Sequence, residues 1–151
     1  FILDNSSKIL DVGCGKGFLA YEIKRIIKSE YIYGTDISTY AKKNALKDFK
    51  NNIKIHNLTN KFLYKNNYFD LVLCTNVLHN LRIEEIVLAL QEINRISKKQ
   101  FVCVESYRNE KEQFNLQCWA LTAETLVDVK TWKWILKLSK FRGNYEFIYF
   151  R

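Results

Sequence analysis

Three glycines and one carboxylate carry the clearest chemical signal in the sequence. The segment Ile9-Leu10-Asp11-Val12-Gly13-Cys14-Gly15-Lys16-Gly17 is an apolar run leading into a loop with glycine at every second position. Glycine lacks a Cβ and tolerates positive φ, so such a loop can approach a bound group closely. Asp36 ends a second apolar run nineteen residues after Gly17, where a carboxylate can accept hydrogen bonds from both ribose hydroxyls of a nucleoside. Together these features predict a nucleoside-binding site.

The elements that must position these residues alternate along the chain. Apolar runs predict strands over Lys8–Val12, Tyr31–Thr35, Ile53–Ile55, Phe69–Cys74, Phe101–Glu105 and Tyr145–Phe150. Helical periodicity predicts helices over Phe18–Lys28, Thr39–Phe49, Glu84–Ser97 and Thr131–Phe141, whereas Asn57–Asn67 and Arg108–Gln117 are polar segments without a predicted element. This alternation favours right-handed βαβ crossovers. We expect one α/β domain over residues 1–151, a Rossmann-like doubly wound, mostly parallel sheet of about six to seven strands flanked by helices.

A parallel sheet also predicts where the site lies. Ligands of open α/β sheets bind beyond the carboxyl ends of the strands. Five residues of suitable chemistry follow strand ends and are expected on that edge: Gly17, Asp36, Asn76, His79 and Tyr107.

Composition limits the classes of function. With 151 residues, of which 48% are hydrophobic, the chain can bury one core. The net charge of +8 is compatible with a nucleic-acid partner, but the lysines are scattered over helices, so that partner is not favoured. No apolar run approaches 18 residues and no signal peptide is seen, which predicts a cytoplasmic protein with no membrane partner. The sequence does not begin with Met, and we expect an N-terminal segment to precede it.

Metal and disulfide chemistry are not indicated. The four cysteines are far apart and form no C-x-x-C pair. We expect free thiols in a reducing compartment and no metal site.

The order of the glycines separates two cofactor classes. Dinucleotide-binding folds use G-x-G-x-x-G, and here the third glycine position is taken by Phe18. The observed order is acidic-x-G-x-G-x-G, and it is followed by Asp36, by Tyr68-Phe69-Asp70-Leu71-Val72 and by Asn76-Val77-Leu78-His79-Asn80-Leu81. In these four segments the chain resembles the class I S-adenosylmethionine-dependent methyltransferases, and the resemblance covers nearly the whole chain.

The resemblance implies roles for individual residues. Asp11 would fix the amino group of S-adenosyl-L-methionine through water, and Asp36 would hold the ribose hydroxyls. The backbone of Gly13, Cys14 and Gly15 would lie against the methionine and ribose portions, with Gly17 completing the loop. A structural role is the alternative to cofactor binding at some of these positions. Asp11, for example, could orient the glycine loop without contacting the cofactor.

The two ends of the cofactor would be bound by the loops after three other strands. Ile37 would pack on the adenine, or belong to the core, and the backbone near Cys74 and Asn76 would meet the methionine end. Many family members place Asp after the third strand to bind the adenine amino group. Here Asn57 and Leu58 stand nearest to that place, and Asn57 or the Leu58 backbone would substitute.

Methyl transfer needs little from the protein beyond position and exclusion of water. A general base is required only where the nucleophile must lose a proton. His79 is the predicted base, with Glu105 and Tyr107 as alternatives, and a structural histidine at a helix start is the competing interpretation.

The acceptor is not specified by any motif. We expect a small molecule or biosynthetic intermediate to be methylated, with S-adenosyl-L-homocysteine as the other product. The alternatives are an RNA or protein methyltransferase, and a non-catalytic cofactor-binding partner subunit. The aromatic residues Tyr107, Trp119, Trp132 and Trp134 could shape an acceptor pocket, although for Trp132 core packing is the better interpretation.

Overall fold

The structure is a computed structural model that describes residues 3–151. Over this range the chain forms one sheet of six strands: β1 (Ile9–Val12), β2 (Ile32–Asp36), β3 (Ile53–Ile55), β4 (Phe69–Thr75), β5 (Ser97–Ser106) and β6 (Asn144–Tyr149). The strand order is β3-β2-β1-β4-β5-β6, and every neighbouring pair is parallel. The expected Rossmann-like sheet is confirmed, with six parallel strands in the described range.

Five α-helices connect these strands within residues 3–151. They are α1 (Phe18–Ile27), α2 (Thr39–Lys43), α3 (Ile83–Ile96), α4 (Glu110–Trp119) and α5 (Val129–Leu138), and 3-10 turns occupy Lys50–Asn52 and Leu78–Asn80. None of the helices in this range is long and apolar enough to cross a membrane.

Helices cover both faces of the sheet. Side chains alternate between the faces of a strand, and β4 shows the alternation directly. Leu71 and Leu73 pack with Ala20 of α1, whereas Val72 and Cys74 pack with side chains of α3 and α5. Burying β4 on both faces explains its continuous apolar run.

The strand register brings the loops of the site together. Val12, the last residue of β1, pairs with Thr35 of β2 and with Cys74 of β4. Asp36 pairs with Ile55, the last residue of β3. The carboxyl ends of these four neighbouring strands therefore meet at one edge.

The prediction of a helix over Thr39–Phe49 is confirmed only for its first turn and a half, and it is wrong for the rest. Ser38 caps α2 by accepting from the Ala41 amide at 3.0 Å, but the helix ends at Lys43. The Leu46 amide donates to the Lys16 carbonyl at 3.1 Å instead of continuing the helix. Tertiary contact with the glycine loop has overridden local helical preference.

The segment Arg108–Gln117 is the main element missed from the sequence, because it holds most of α4. Asn109 caps this helix by accepting from the Glu112 amide at 3.0 Å, and Leu116 is the sole buried apolar side chain in it. With so little apolar periodicity, the capping residue was the only usable signal. β5 is also longer than predicted, because its first part, from Ser97 to Cys103, pairs with β4 and its second part, from Phe101 to Ser106, pairs with β6.

Candidate functional site

A cavity of about 320 Å³ lies at the carboxyl ends of β1 to β4. Its walls come from the four loops that the strand register brings together. The lining residues are Val12, Gly13, Thr35, Asp36, Ile37, His56, Asn57, Leu58, Asn76, Val77, Asn80 and Leu81. Its size and mixed lining are those of a small-molecule site.

The glycine loop needs its glycines for two different reasons. Gly13 has φ +71, and a Cβ there would lie 2.1 Å from Val77 Cγ2, so both conformation and space exclude a side chain. Gly15 has φ +54 but no atom within 4 Å of where its Cβ would be. Positive φ favours glycine at this second position, and the open space beside it is available to a ligand.

Asp36 is anchored by the loops that it joins. Its Oδ2 accepts from the Gly15 amide at 2.8 Å, and its Oδ1 accepts from the Ser38 amide at 2.8 Å. Each carboxylate oxygen can accept more than one hydrogen bond. The fixed carboxylate therefore presents two oxygens with unused acceptor capacity at the cavity wall.

Asp11 is a buried carboxylate beneath the glycine loop. It is 2% exposed, and within residues 3–151 no hydrogen bond to its carboxylate is seen. Burial, with a smaller contribution from Asp36, raises the pKa of Asp11 to about 7. Such a group is costly to ionise until a cation or a donor reaches it.

Cys14 contributes packing and backbone rather than charge. Burial, followed by the nearby Asp11 and Asp36, raises the pKa of the Cys14 thiol to about 12. The thiol therefore stays neutral, and thiolate chemistry at this position is not supported.

One end of the cavity is formed by apolar and amide groups after β2 and β3. Ile37 is 65% exposed at the mouth, where an aromatic ring could cover it. The Asn57 side chain accepts from the amide and hydroxyl of Thr59 at 3.0 and 2.9 Å. Leu58 packs into the core, so its backbone is the part of the residue left to bind a ligand.

The other end is formed by the turn after β4. Asn76 adopts φ 57, a left-handed conformation that asparagine tolerates better than most residues, and its amide donates to the Cys103 carbonyl at 3.0 Å. Val77, Asn80 and Leu81 complete this wall.

His79 lies behind that wall in a hydrogen-bonded network. It is 7% exposed, with Nδ1 at 2.6 Å from Glu105 Oε2 and Nε2 at 3.0 Å from Asn80 Nδ2. The Trp119 ring packs on it edge-to-face at 5.7 Å between centroids. The His79 carbonyl accepts from the amides of Glu124 and Thr125. These hydrogen bonds hold the segment after α4 against the 3-10 turn Leu78–Asn80.

The structure brings half of the predicted site residues to the cavity surface. Gly13, Asp36, Ile37, Asn57, Leu58 and Asn76 line it, whereas Asp11, Cys14, Gly15, Gly17, Cys74 and His79 lie outside its lining. Cys74 is completely buried, which leaves only its backbone for any contact with the methionine end. His56 and Asn80 were missed, although both follow strand ends and the rule that located Asp36 could have found them.

The other suggested acceptor-site residues are dispersed. Glu105, an alternative candidate for the general base, is completely buried and does not line the cavity. Trp132 is buried in the core, as expected, while Trp134 is 54% exposed on α5. Of these aromatic residues, Trp119 contacts the site through His79.

Tyr107 lines a different and larger cavity, of about 620 Å³, between the N-terminal ends of α4 and α5. That cavity is lined largely by charged side chains, among them Arg108, Glu110, Asp128 and Lys130. It does not include any residue of the glycine loop, so the smaller cavity is the one that matches the predicted site.

Similar proteins agree with this architecture. The mitochondrial arginine-hydroxylase NDUFAF5 of Mus musculus is 29% identical over 116 residues, which are 77% of this chain and 33% of that protein. The chain therefore spans about a third of the length of the curated relatives that it matches.

Solved structures share the fold. A chain of the complex between the Haloferax volcanii Trm112 methyltransferase activator and a methyltransferase superposes with a TM-score of 0.74 at 15% identity, covering 91% of this chain and 62% of that one. A SAM-dependent methyltransferase from Archaeoglobus fulgidus gives 0.69 at 22% identity, covering 92% and 62%. The profile of the methyltransferase domain family matches residues 10–104. The chain belongs to this methyltransferase domain family, as the glycine loop and Asp36 had indicated.

Proposed function

We propose that this protein transfers a methyl group from S-adenosyl-L-methionine to a small-molecule acceptor, leaving S-adenosyl-L-homocysteine. The observation that carries the proposal is the Asp36 carboxylate, held by two backbone amides at the wall of the cavity of about 320 Å³. A diol such as ribose is a fitting partner for two fixed oxygens of this kind.

The donor set in the cavity fits the rest of this cofactor. Asp11, buried and without a donor in the described residues, would be satisfied by the cationic amino group, directly or through water. Ile37 would cover one face of the adenine, and the Leu58 backbone or Asn57 would contact its edge. Gly13 and Gly15 would allow close approach of the ribose and methionine portions, and Cys14, Gly17, Cys74 and Asn76 would contribute through their backbone.

The bound cofactor would supply an activated methyl group on a positively charged sulfur. The protein's part is to align the acceptor with that methyl group and to exclude water. Asn76, Val77 and Asn80 form the wall where alignment would occur, and His79 behind it is the proposed general base.

A small acceptor is supported by how the methyl-transfer end is enclosed. Thr122 Oγ1 donates to Asn80 Oδ1 at 3.1 Å, and the amides of Glu124 and Thr125 donate to the His79 carbonyl. These hydrogen bonds hold the segment after α4 against the turn after β4, and an approach limited by this segment would suit a small molecule better than an RNA duplex or a folded protein.

Other reactions occur on similar chains, because a fold does not fix a reaction. The curated relative is named for arginine hydroxylation, and the Haloferax methyltransferase was solved with an activator protein. A cofactor-binding partner subunit is therefore the competing candidate, and binding and turnover must be measured separately.

Binding is tested by calorimetric titration of S-adenosyl-L-methionine into the wild type and Asp36→Ala. We expect the variant to bind about 10²-fold more weakly, because it loses charge-assisted hydrogen bonds to the ribose. Asp48→Ala, at an exposed aspartate, is the control and should bind like the wild type. Equal affinity of wild type and Asp36→Ala, or preference for NAD, would contradict the proposed site.

Turnover is tested by following S-adenosyl-L-homocysteine production with small-molecule acceptors. Formation that depends on acceptor and is lost in Asp36→Ala supports the enzyme. Tight cofactor binding without turnover across a broad acceptor set favours the partner subunit.

A further inference from the structure

Glu105 is the most deeply buried carboxylate near the site, and one of its oxygens has no partner. The residue is completely buried at the end of β5. Oε2 lies 2.6 Å from His79 Nδ1, whereas Oε1 has no hydrogen-bond partner among the described residues. The backbone is also fixed here, because Trp132 Nε1 donates to the Glu105 carbonyl at 2.9 Å. Burying a carboxylate with an unpaired oxygen costs free energy that an apolar side chain of similar size would not, so packing alone does not explain Glu105.

The direction of the hydrogen bonds around His79 follows from their partners. Asn80 Nδ2 lies 3.2 Å from the Val77 carbonyl, which can only accept, so this atom is the amide nitrogen. The same nitrogen lies 3.0 Å from His79 Nε2. An imidazolium would set two donors against each other at this contact, so His79 is neutral and Nε2 accepts.

The remaining proton of the ring is then on Nδ1. An ionised carboxylate is only an acceptor, and Nδ1–H donates to Glu105 Oε2. The hydrogen bond at one ring nitrogen determines the chemistry offered by the other. With the ring proton on Nδ1, Nε2 keeps a free lone pair that can accept a hydrogen bond. The Asn80 side-chain amide donates to this lone pair, and Asn80 lines the cofactor cavity.

We propose that Glu105 is a positioning residue that holds His79 in the Nδ1–H tautomer, and that the acceptor is a hydroxyl compound that replaces the Asn80 amide as donor to Nε2. This inference rests on the proposed methyl transfer. The position beside Nε2 must be filled by a donor, so an alcohol or phenol fits it, whereas a carboxylate or thiolate has no proton to give. A neutral amine could also donate, but it attacks with its own lone pair and does not need a base to activate it.

The step balances with these groups alone. The acceptor oxygen gains the methyl group, and its proton passes to His79 Nε2. The electron pair of the broken sulfur–carbon bond remains on sulfur, which becomes a neutral thioether. The resulting imidazolium pairs with the Glu105 carboxylate. The negative charge of Glu105, which is costly to bury before the reaction, therefore stabilises the positive charge that forms on His79 during it.

The chain offers a clean measurement, because it contains two histidines. His56 Nε2 lies 3.2 Å from the Asn60 carbonyl, so that nitrogen carries a proton, and in its neutral form His56 is the opposite, Nε2–H tautomer. In ¹⁵N-histidine-labelled protein near neutral pH, long-range proton–nitrogen correlation spectra distinguish the two forms, and His56→Gln assigns the signals.

In the wild type we expect His79 as the Nδ1–H tautomer. Asn80→Ala removes the donor at Nε2, and we expect Glu105 alone to keep His79 as the Nδ1–H tautomer. In the double variant Asn80→Ala/Glu105→Gln the glutamine can either accept or donate, so we expect both tautomers in comparable amounts. Glu105→Gln alone removes the charge that stabilises the imidazolium, so we expect about 10²-fold slower methyl transfer to a hydroxyl acceptor. Glu112→Gln is the matched control, since Glu112 is also buried but pairs with Arg108, and it should leave the His79 signals unchanged.

Two results would overturn the inference: Nε2–H on His79 in the wild type, or an unchanged tautomer in folded Asn80→Ala/Glu105→Gln. The wild-type spectrum decides the first point without any variant. If the double variant does not fold, Glu105→Asp, which withdraws the carboxylate by one methylene, must shift the His79 signals, and unchanged signals would equally overturn the inference. Titration of S-adenosyl-L-methionine on the same samples separates the claims, because absent binding refutes the proposed function, while binding with the wrong tautomer refutes only the role of Glu105.

Discussion

Asp11 is a carboxylate in a place where ionisation is costly in the ligand-free protein. Burial raises its pKa to about 7, and the nearby Asp36 adds to the shift. The folded state therefore binds this proton more tightly than the unfolded chain, whose aspartate has an ordinary pKa near 3.8. The contribution to stability is complete below the unfolded value and is lost as the pH rises towards 7.

The pH dependence of stability tests this residue. We expect Asp11→Asn, an uncharged replacement, to raise the free energy of unfolding above pH 7 by on the order of 4 kcal/mol. The difference from the wild type should shrink towards zero as the pH falls to 4. Urea unfolding of both proteins from pH 4 to 8 measures it, and a difference that does not change with pH would contradict the assigned cause.

Sequence and structure agree best for residues whose role is set by local backbone. The glycine loop and Asp36 were predictable because positive φ, strand ends and chain spacing leave a signature in one short segment. The His79–Glu105 contact was not predictable, because it joins the turn after β4 to a residue near the end of β5 that is 26 positions away in the sequence. Only the register of β4 and β5 brings them together.

The segment between β3 and β4 is the least regular element of the site, and α3 holds it in place. Arg95 donates to the carbonyls of Tyr64 and Phe62 at 2.7 and 3.0 Å. Glu92 pairs with Arg95 and accepts from the Phe62 amide at 2.7 Å. We call the Arg95–Glu92 pair the loop clamp, because it fixes the segment that presents Asn57 and Leu58.

Breaking the loop clamp should weaken cofactor binding from a distance. We expect Arg95→Ala to lower the affinity for S-adenosyl-L-methionine about tenfold, because the binding-competent loop conformation becomes a minor population. Unfolding should cost about 2 kcal/mol less, since hydrogen bonds to a charged group are lost. Calorimetry and urea unfolding measure the two effects.

Arg25→Ala is the matched control for the clamp. Arg25 also pairs with a glutamate three residues away in its helix, Glu22, but both side chains are largely exposed, and such pairs contribute little. If Arg95→Ala loses stability without losing cofactor affinity, the clamp does not position the site.

The two helices that were wrongly predicted differ from the prediction for different physical reasons. The predicted helix Thr39–Phe49 is cut short because Leu46 bonds to the glycine loop and Phe49 is completely buried. α4 was missed because its apolar periodicity is weak. In the first case a tertiary contact overrode local helical preference, and in the second the helix buries too few apolar residues to leave a periodic signal.

At the scale of the whole molecule, the parallel sheet explains why one site can collect residues from Gly13 to Leu81. Every strand points its carboxyl end to the same edge, so four loops share one cavity of about 320 Å³. The second cavity, at α4 and α5, lies away from the glycine loop. The fold could be predicted from the order of elements and the family from four motif segments, whereas the acceptor could not be predicted, since no motif encodes it.

The most direct test of the account is an experimental structure with S-adenosyl-L-homocysteine bound. The account predicts both ribose hydroxyls within hydrogen-bond distance of the Asp36 carboxylate, the adenine between Ile37 and Leu58, and the amino group towards Asp11. A ligand bound in the cavity beside Tyr107, or one whose ribose does not contact Asp36, would contradict it.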